Sequence, residues 1–330
     1  MIPVLEIGGT HVTAALVDLR DGVVCRVRRP LNAQGDATDI LDALRDTAAS
    51  LPTVPGARWG VALPGPFDYV RGVGLFTGVG KFDALCNVNV RAALLKRLRP
   101  RPAGIVFVND AHAFLTGEWR VGTVRGHRRA AGVTLGTGVG SAFITDGRIC
   151  ENHRGIPPEG RIDLTKIDGL PLEVTVSRRA IIARYGDPAA DVRDIAERAR
   201  EGEAKAHHVL HDTFTRLGAA LGPFLVNFGA TALAVGGTIA RSWDLVSPAL
   251  LTGLTAGGWA ADDAHACENR SQPGAGKIFG EDKTLQARLA SSASPPRGLN
   301  ALRIARADED AALIGAAHAV THNHPADQGV

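Results

Sequence analysis

Several large classes of protein are excluded by what this sequence lacks. Its 330 residues hold four cysteines, Cys25, Cys86, Cys150 and Cys267, far apart and without a CxxC pair. Neither a zinc ribbon nor a disulfide framework is expected from that spacing. No run of about 18 apolar residues occurs, so no membrane span is expected. The strand-like run at residues 2–7 contains Glu6 and lacks a basic n-region and a long apolar h-region. No signal peptide and a cytoplasmic location are therefore expected. Two common phosphate-binding signatures are also missing: GxxxxGK[ST], and GxGxxG in a βαβ context.

Charge of one sign is also scarce. The net charge is +3, and arginine far outnumbers lysine. The basic residues are scattered, so nucleic-acid binding is not expected. The richest basic stretch contains Arg120, Arg125, His127, Arg128 and Arg129. It reads as a solvated loop that could touch an acidic ligand.

What is present suits a globular enzyme. Apolar content is 45% and charged content 22%, both ordinary. The length is large for one core and points to two lobes. Strand, glycine turn, strand and an acidic-Gly hairpin run through 4–7, 8–10, 12–19 and Asp21-Gly22, with a third strand at 23–27. The same order returns at 131–135, 136–138, 139–145 and Asp146-Gly147. Two copies of one supersecondary unit, roughly 125 residues apart, are expected. Helices are predicted at 38–50, 90–98, 111–119, 192–201, 203–221, 242–254 and 308–320. Buried strands are predicted at 59–63, 104–108 and 232–235. Residues 257–296 are rich in Gly, Ser, Pro and charge and read as an irregular insertion, and 321–330 as a frayed tail.

Three glycine turns could hold phosphate through backbone N–H groups: Glu6-Ile7-Gly8-Gly9-Thr10, Leu135-Gly136-Thr137-Gly138-Val139-Gly140, and Val235-Gly236-Gly237-Thr238. Each alone is equally a tight hairpin or strand end. Together, two of them in duplicated units, they favour a nucleotide. Val106-Phe107-Val108-Asn109-Asp110-Ala111-His112 sets an acid where a buried strand becomes a helix. Alone it reads as a helix cap; beside phosphate turns it reads as a general base for an alcohol proton.

In order and spacing, Glu6 to Thr10, Leu63-Pro64-Gly65-Pro66, Asn109-Asp110-Ala111, Leu135 to Gly140 and Gly236-Gly237 resemble the ROK family of sugar kinases and repressors. The resemblance runs from residue 1 to about 255 and resumes in the last helix. It implies an α/β, two-lobed actin-like ATPase fold, ribonuclease H-like in each lobe, with ATP, Mg²⁺ and a sugar in the central cleft. The small lobe would be 1–109 plus about 306–330, the large lobe 110–305. A homodimer is implied as well.

Residue by residue, the resemblance makes Asp110 the base and Asn109 and Gly65 acceptor-binding. Gly8, Gly9, Thr10, Gly136, Thr137 and Gly138 become the phosphate turns, and Gly236 with Gly237 the adenosine motif. Glu6 faces Mg²⁺ through water. Glu173, in Leu172-Glu173-Val174-Thr175-Val176-Ser177, and Glu159, in Pro157-Pro158-Glu159-Gly160, become the carboxylates that accept from a vicinal diol; exposed loop acids are the other reading of both.

The departures from the family pattern carry information. Where most members have Gly-His followed by zinc-binding cysteines, this chain has Arg161-Ile162-Asp163-Leu164, and no Cys lies within 165–170. Tetrahedral zinc wants four N or S ligands, so no zinc site is expected. Loss of that His also removes a contact to the anomeric end of a sugar, which Arg161 or Asp163 could replace. His112 stands where Asn is frequent and reads either as helix surface or as an acceptor contact. A kinase for a C7-cyclitol, a carbocycle without an anomeric carbon, is the leading specific expectation. Glucokinase, fructokinase and N-acetylmannosamine kinase are the alternatives. A sugar-sensing repressor would need a helix-turn-helix ahead of Glu6. His207 with His211, and His318, His322 and His324, read as solvated faces rather than metal ligands.

Overall fold

A computed structural model describes residues 1–261, 300–305 and 310–322. Most of the expected insertion, Cys267, His324 and the tail beyond residue 322 lie outside the described residues.

The chain builds one supersecondary plan twice. In the first sheet, β1 (Ile2–Ile7), β2 (His11–Asp18) and β3 (Gly22–Pro30) form an antiparallel meander. β4 (Arg58–Leu63) then joins β1 in parallel, reached through α1 (Ala37–Ala48). Two short strands, β5 (Phe67–Asp68) and β6 (Val73–Gly74), pair off the edge. α2 (Val90–Arg97) leads to β7 (Gly104–Asn109), parallel to β4, giving the order β3-β2-β1-β4-β7.

After α3 (Asp110–Arg120), the meander recurs as β8 (Arg129–Leu135), β9 (Val139–Thr145) and β10 (Arg148–Ile149). A short hairpin follows, β11 (Lys166–Ile167) and β12 (Leu170–Pro171). Helices α4 (Glu173–Val176), α5 (Arg178–Tyr185), α6 (Val192–Arg200) and α7 (Ala204–Phe228) precede β13 (Ala232–Gly236). Beyond α8 (Trp243–Ala256), β14 (Ala301–Ile304) completes β10-β9-β8-β13-β14, the same order as in the first sheet. The duplication read from the glycine turns is therefore a duplication of whole sheets.

Two helices lie between the sheets. α9 (Ala311–His322) packs its alanines on Val4, Val17 and Ala62 of the first sheet. α3 packs Phe114 and Leu115 on Ala130, Ala142 and Ala234 of the second. The two helices touch through residues with almost no side chain. A Cβ on Gly117 would overlap the Ala311 carbonyl, and one on Gly315 the Ala113 carbonyl. Small residues let the backbones approach within van der Waals contact, so the sheets are spaced by this pair. The outer face of the first sheet is closed by α1 and α2, that of the second by α5 to α8.

One element expectation needs correction. The helix expected to end at 221 runs on through Pro223 to Phe228, where Gly229 caps it in the left-handed conformation. Gly222 and Pro223 are poor helix residues, yet Gly222 packs directly against Gly257 of the chain leaving α8, and that packing outweighs a weak local preference. Helices α4 and α5 are too short and too polar to show periodicity. Within the expected insertion, residues 257–261 are ordered by Trp259, which is buried and donates Nε1–H to the Ala230 carbonyl at 2.8 Å. Among the described residues no helix is long and apolar enough to cross a membrane.

Candidate active site

The parallel strands of both sheets end at one cleft, the place where open α/β sheets bind ligands. Glu6 near the end of β1 pairs across to Thr13 of β2. Gly236, the last residue of β13, pairs with Thr134 of β8. Leu63 ends β4 beside Asn109 of β7. A cavity of about 220 Å³ opens there, lined by Glu6, Gly8, Thr10, Asp110, Gly237 and Thr238. Residues from both duplicated units and from the strand–helix junction thus face one space.

Asp110 is the first residue of α3, but it does not cap that helix. Asn109 does: its Oδ1 accepts from the backbone N–H of Ala111 at 3.0 Å and of His112 at 3.2 Å. Capping by Asn109 leaves the Asp110 carboxylate on the cavity wall, where Oδ1 accepts from the Ala111 N–H at 2.9 Å. Burial pushes the Asp110 carboxyl above its ordinary value, opposed by the Lys81 charge and backbone hydrogen bonds and assisted by Asp163. Desolvation outweighs the helix N-terminus, which alone would favour the anion. A carboxyl raised in this way is closer to neutral pH, as a base must be.

The glycine turns are held by their own backbone. Gly8 N–H donates to the His11 carbonyl at 2.9 Å, and Gly136 N–H to the Gly138 carbonyl at 3.0 Å. Thr10 is exposed, its hydroxyl 2.8 Å from His11 Nδ1. Gly237 has a φ of +91°, and a Cβ there would overlap the Leu135 carbonyl. Only glycine suits both conditions.

On the other side of Asp110 lies a polar patch. Asn109 Nδ2–H donates to the Tyr69 hydroxyl at 3.0 Å, and Tyr69 donates on to the Leu63 carbonyl at 3.3 Å. A Cβ on Gly65 would lie 3.4 Å from that hydroxyl. Burial holds the Tyr69 phenol well above its usual range. Arg161 grips Asp163 with two hydrogen bonds, Nη2 to Oδ2 at 2.7 Å and Nε to Oδ1 at 3.4 Å.

A profile of the ROK family matches residues 3–256. The chain belongs to the ROK family. Glucokinase of Thermotoga maritima is 25% identical over 269 residues, spanning 73% of this chain and 83% of that protein. The ROK glucokinase of Streptomyces griseus, solved with glucose and AMPPNP, superposes with a TM-score of 0.68 at 21% identity, covering 96% of this chain and 98% of that one. A ROK transcriptional regulator homologous to the E. coli MLC protein superposes with a TM-score of 0.67 at 19% identity, covering 97% and 77%. This ROK protein has the actin-like ATPase fold of those sugar kinases, and it is a phosphotransferase acting on a hydroxyl acceptor.

Of the positions singled out in the sequence of this ROK chain, Glu6, Gly8, Thr10, Asp110 and Gly237 line the cavity itself. Asn109 and Gly65 join through Tyr69. Gly236 lies buried behind the cavity, where a Cβ would meet the Phe114 ring at 2.5 Å. Gly136, Thr137 and Gly138 form the turn between β8 and β9 and are not among the residues lining the cavity, and Glu173, at the start of α4, sets its Oε1 2.5 Å from where a Gly138 Cβ would be. Glu173 is thus placed beside the second glycine turn. Glu159 is exposed, has a φ of +57° and lies 3.9 Å from Arg161 Nη1. His112 is nearly buried, 3.8 Å from Glu151 Oε1, and burial lowers its pKa to about 4.

Thr238, from the third glycine turn, also lines the cavity. Other cleft residues gave no motif in the sequence: Thr13, Arg28, Thr134 and Arg241. Tyr69 lies in a loop with no turn or motif to mark it. The one usable signal was pairing register: Thr134 sits two residues before a glycine turn, as Glu6 does.

Proposed function

We propose that this ROK protein transfers the γ-phosphoryl group of ATP to a hydroxyl of a ring polyol, with Asp110 as the base. The observation that carries this reading is the single cavity shared by Glu6, Gly8, Thr10, Asp110, Gly237 and Thr238. Backbone N–H groups of the Gly8–Thr10 and Gly136–Gly138 turns hold phosphate oxygens, while Gly236 and Gly237 let the adenosine lie against the backbone. Asp110 takes the acceptor hydroxyl proton as its oxygen bonds to the γ-phosphorus. The bond from that phosphorus to the β-bridging oxygen breaks, and ADP leaves.

Glu6 and Asp110 supply two carboxylates to the same cavity. With phosphate oxygens and water, the Glu6 carboxylate would complete the oxygen donor set Mg²⁺ takes, which leaves Asp110 for the acceptor hydroxyl. When bound, Mg²⁺ neutralises β- and γ-phosphate charge. Glu6 would hold it through water. The lobes, 1–109 with 306–330 and 110–305, would close over both substrates and exclude water that would hydrolyse ATP.

The acceptor is fixed on the Tyr69 side. Asn109, Gly65, Glu159, Glu173 and His112 are its proposed contacts. The Arg161–Asp163 pair occupies the stretch where most of the family places a sugar-contacting His, which supports a C7-cyclitol without an anomeric carbon. A hexose is the second reading, favoured by the glucokinases among the relatives. Measuring ADP release across glucose, fructose, N-acetylmannosamine and a valiolone-type cyclitol decides between them. A glucose kcat/KM above that of the cyclitol would replace the first reading with the second. ATP consumption with none of them would end both. The chain is also read as a homodimer, which sedimentation velocity tests.

A further inference from the structure

A lysine beside the cleft is not used by the reading above. Lys81 sits in the loop between β6 and α2, and the loop is tied on both sides of it. Val79 and Gly80 N–H donate to the Asp83 carboxylate at 3.1 and 3.2 Å, and Gln34 Nε2–H donates to the Gly80 carbonyl at 3.3 Å. Immediately after Lys81, Phe82 N–H donates to the Ala33 carbonyl at 2.6 Å. The Phe82 ring is buried against Phe76, their centroids 5.4 Å apart. The backbone at Lys81 is therefore fixed although the adjoining residues 77–80 are exposed.

The side chain runs toward the reacting centre. Its Cδ lies 3.8 Å from where Gly9 would carry a Cβ, so the aliphatic stem passes over the first phosphate turn. Its charge is also the leading electrostatic influence on Asp110, holding that carboxyl below where burial alone would set it. The other cations near the cleft are committed. Arg161 is on Asp163, and Arg28 and Arg241 each have a partner. Lys81 makes no ion pair among the described residues.

We propose that Lys81 lays its ammonium on the γ-phosphoryl group as it transfers, between the Gly8–Thr10 turn and Asp110. The inference rests on the kinase reading. Negative charge spreads over the equatorial oxygens of the phosphoryl group during transfer. Asp110, also negative, stands behind the attacking oxygen. A fixed cation between them stabilises that arrangement more than it stabilises bound ATP, and so accelerates the chemical step. An ammonium on a flexible stem suits a group that moves between two oxygens.

Lys81→Met and Lys81→Arg test this. The Met variant should lose about 10²- to 10³-fold in kcat, with partial recovery in the Arg variant. AMPPNP binding, by titration calorimetry, should weaken about tenfold while ADP binding stays within about twofold, because only the γ-phosphate is contacted. Asp110 is faced by Lys81, Asp163 and Tyr69. Removing the one cation raises its pKa further, so the acid limb of kcat/KM should move to higher pH. A Met variant within threefold of wild-type kcat, or equal weakening of ADP and AMPPNP, would overturn the proposal while leaving the kinase intact. A wild-type protein that binds neither nucleotide would remove both.

Discussion

The side-chain amide of Asn109 is spent at both ends, its Nδ2–H on the Tyr69 hydroxyl at 3.0 Å and its Oδ1 on the N-terminus of α3. That amide cannot flip without losing one set of bonds, so its orientation beside Asp110 is fixed by the fold. Tyr69→Phe removes the partner of Nδ2. A buried amide left unpaired costs about 1 kcal/mol, so urea unfolding should show a loss of that size. Acceptor KM should rise about fivefold to tenfold with kcat little changed. An unaltered KM and an unaltered stability together would detach Tyr69 from the acceptor site.

Asp110→Asn keeps the shape and the cap but removes the base. Turnover should fall about 10²- to 10⁴-fold while AMPPNP affinity persists. In the wild type, burial raises the Asp110 carboxyl, and only the deprotonated form accepts the hydroxyl proton. The kcat/KM profile should therefore decline as pH falls through a value above the ordinary carboxylate range. Activity that stays level down to pH 4 would contradict this.

His112 gives a pH dependence of stability with a definite sign. Burial lowers its pKa from 6.5 to about 4, so the unfolded chain binds the proton more readily. Its contribution is complete above about pH 6.5 and is lost as pH falls toward 4. Between pH 7 and pH 5 the unfolding free energy should drop by about 2 kcal/mol more in the wild type than in His112→Gln. Parallel slopes in the two proteins would argue against a neutral, buried imidazole.

Gly315→Ala tests the spacing of the sheets. The added Cβ would overlap the Ala113 carbonyl of α3, backbone that cannot rotate away. A loss of about 3 kcal/mol or more is expected, from the separation of α3 and α9. Thermal unfolding measures it. A change under about 1 kcal/mol would show that the helix pair is looser than its contact implies.

Much of the cleft was legible because glycine turns and an Asn-Asp pair are local chemistry. Gly237 must be glycine for its own φ and its own neighbour, and such a constraint leaves a mark at one position. The Asn-Asp pair showed two possible roles, cap and base, and the structure gives the cap to Asn109 and leaves the Asp110 carboxylate on the cavity wall. The end of α7 was misplaced because helix preference is local, whereas the packing of Gly222 on Gly257 that carries the helix on through Pro223 is not.

By itself the sequence determined the duplicated strand–turn–strand units, the glycine turns and the acid at the end of a buried strand, since each depends on residues adjacent in the chain. Only the tertiary structure decided which side chains share the cleft. Tyr69, Lys81 and the Arg161–Asp163 pair reach it through contacts between segments distant in sequence, and a contact of that kind leaves no periodicity or spacing to read.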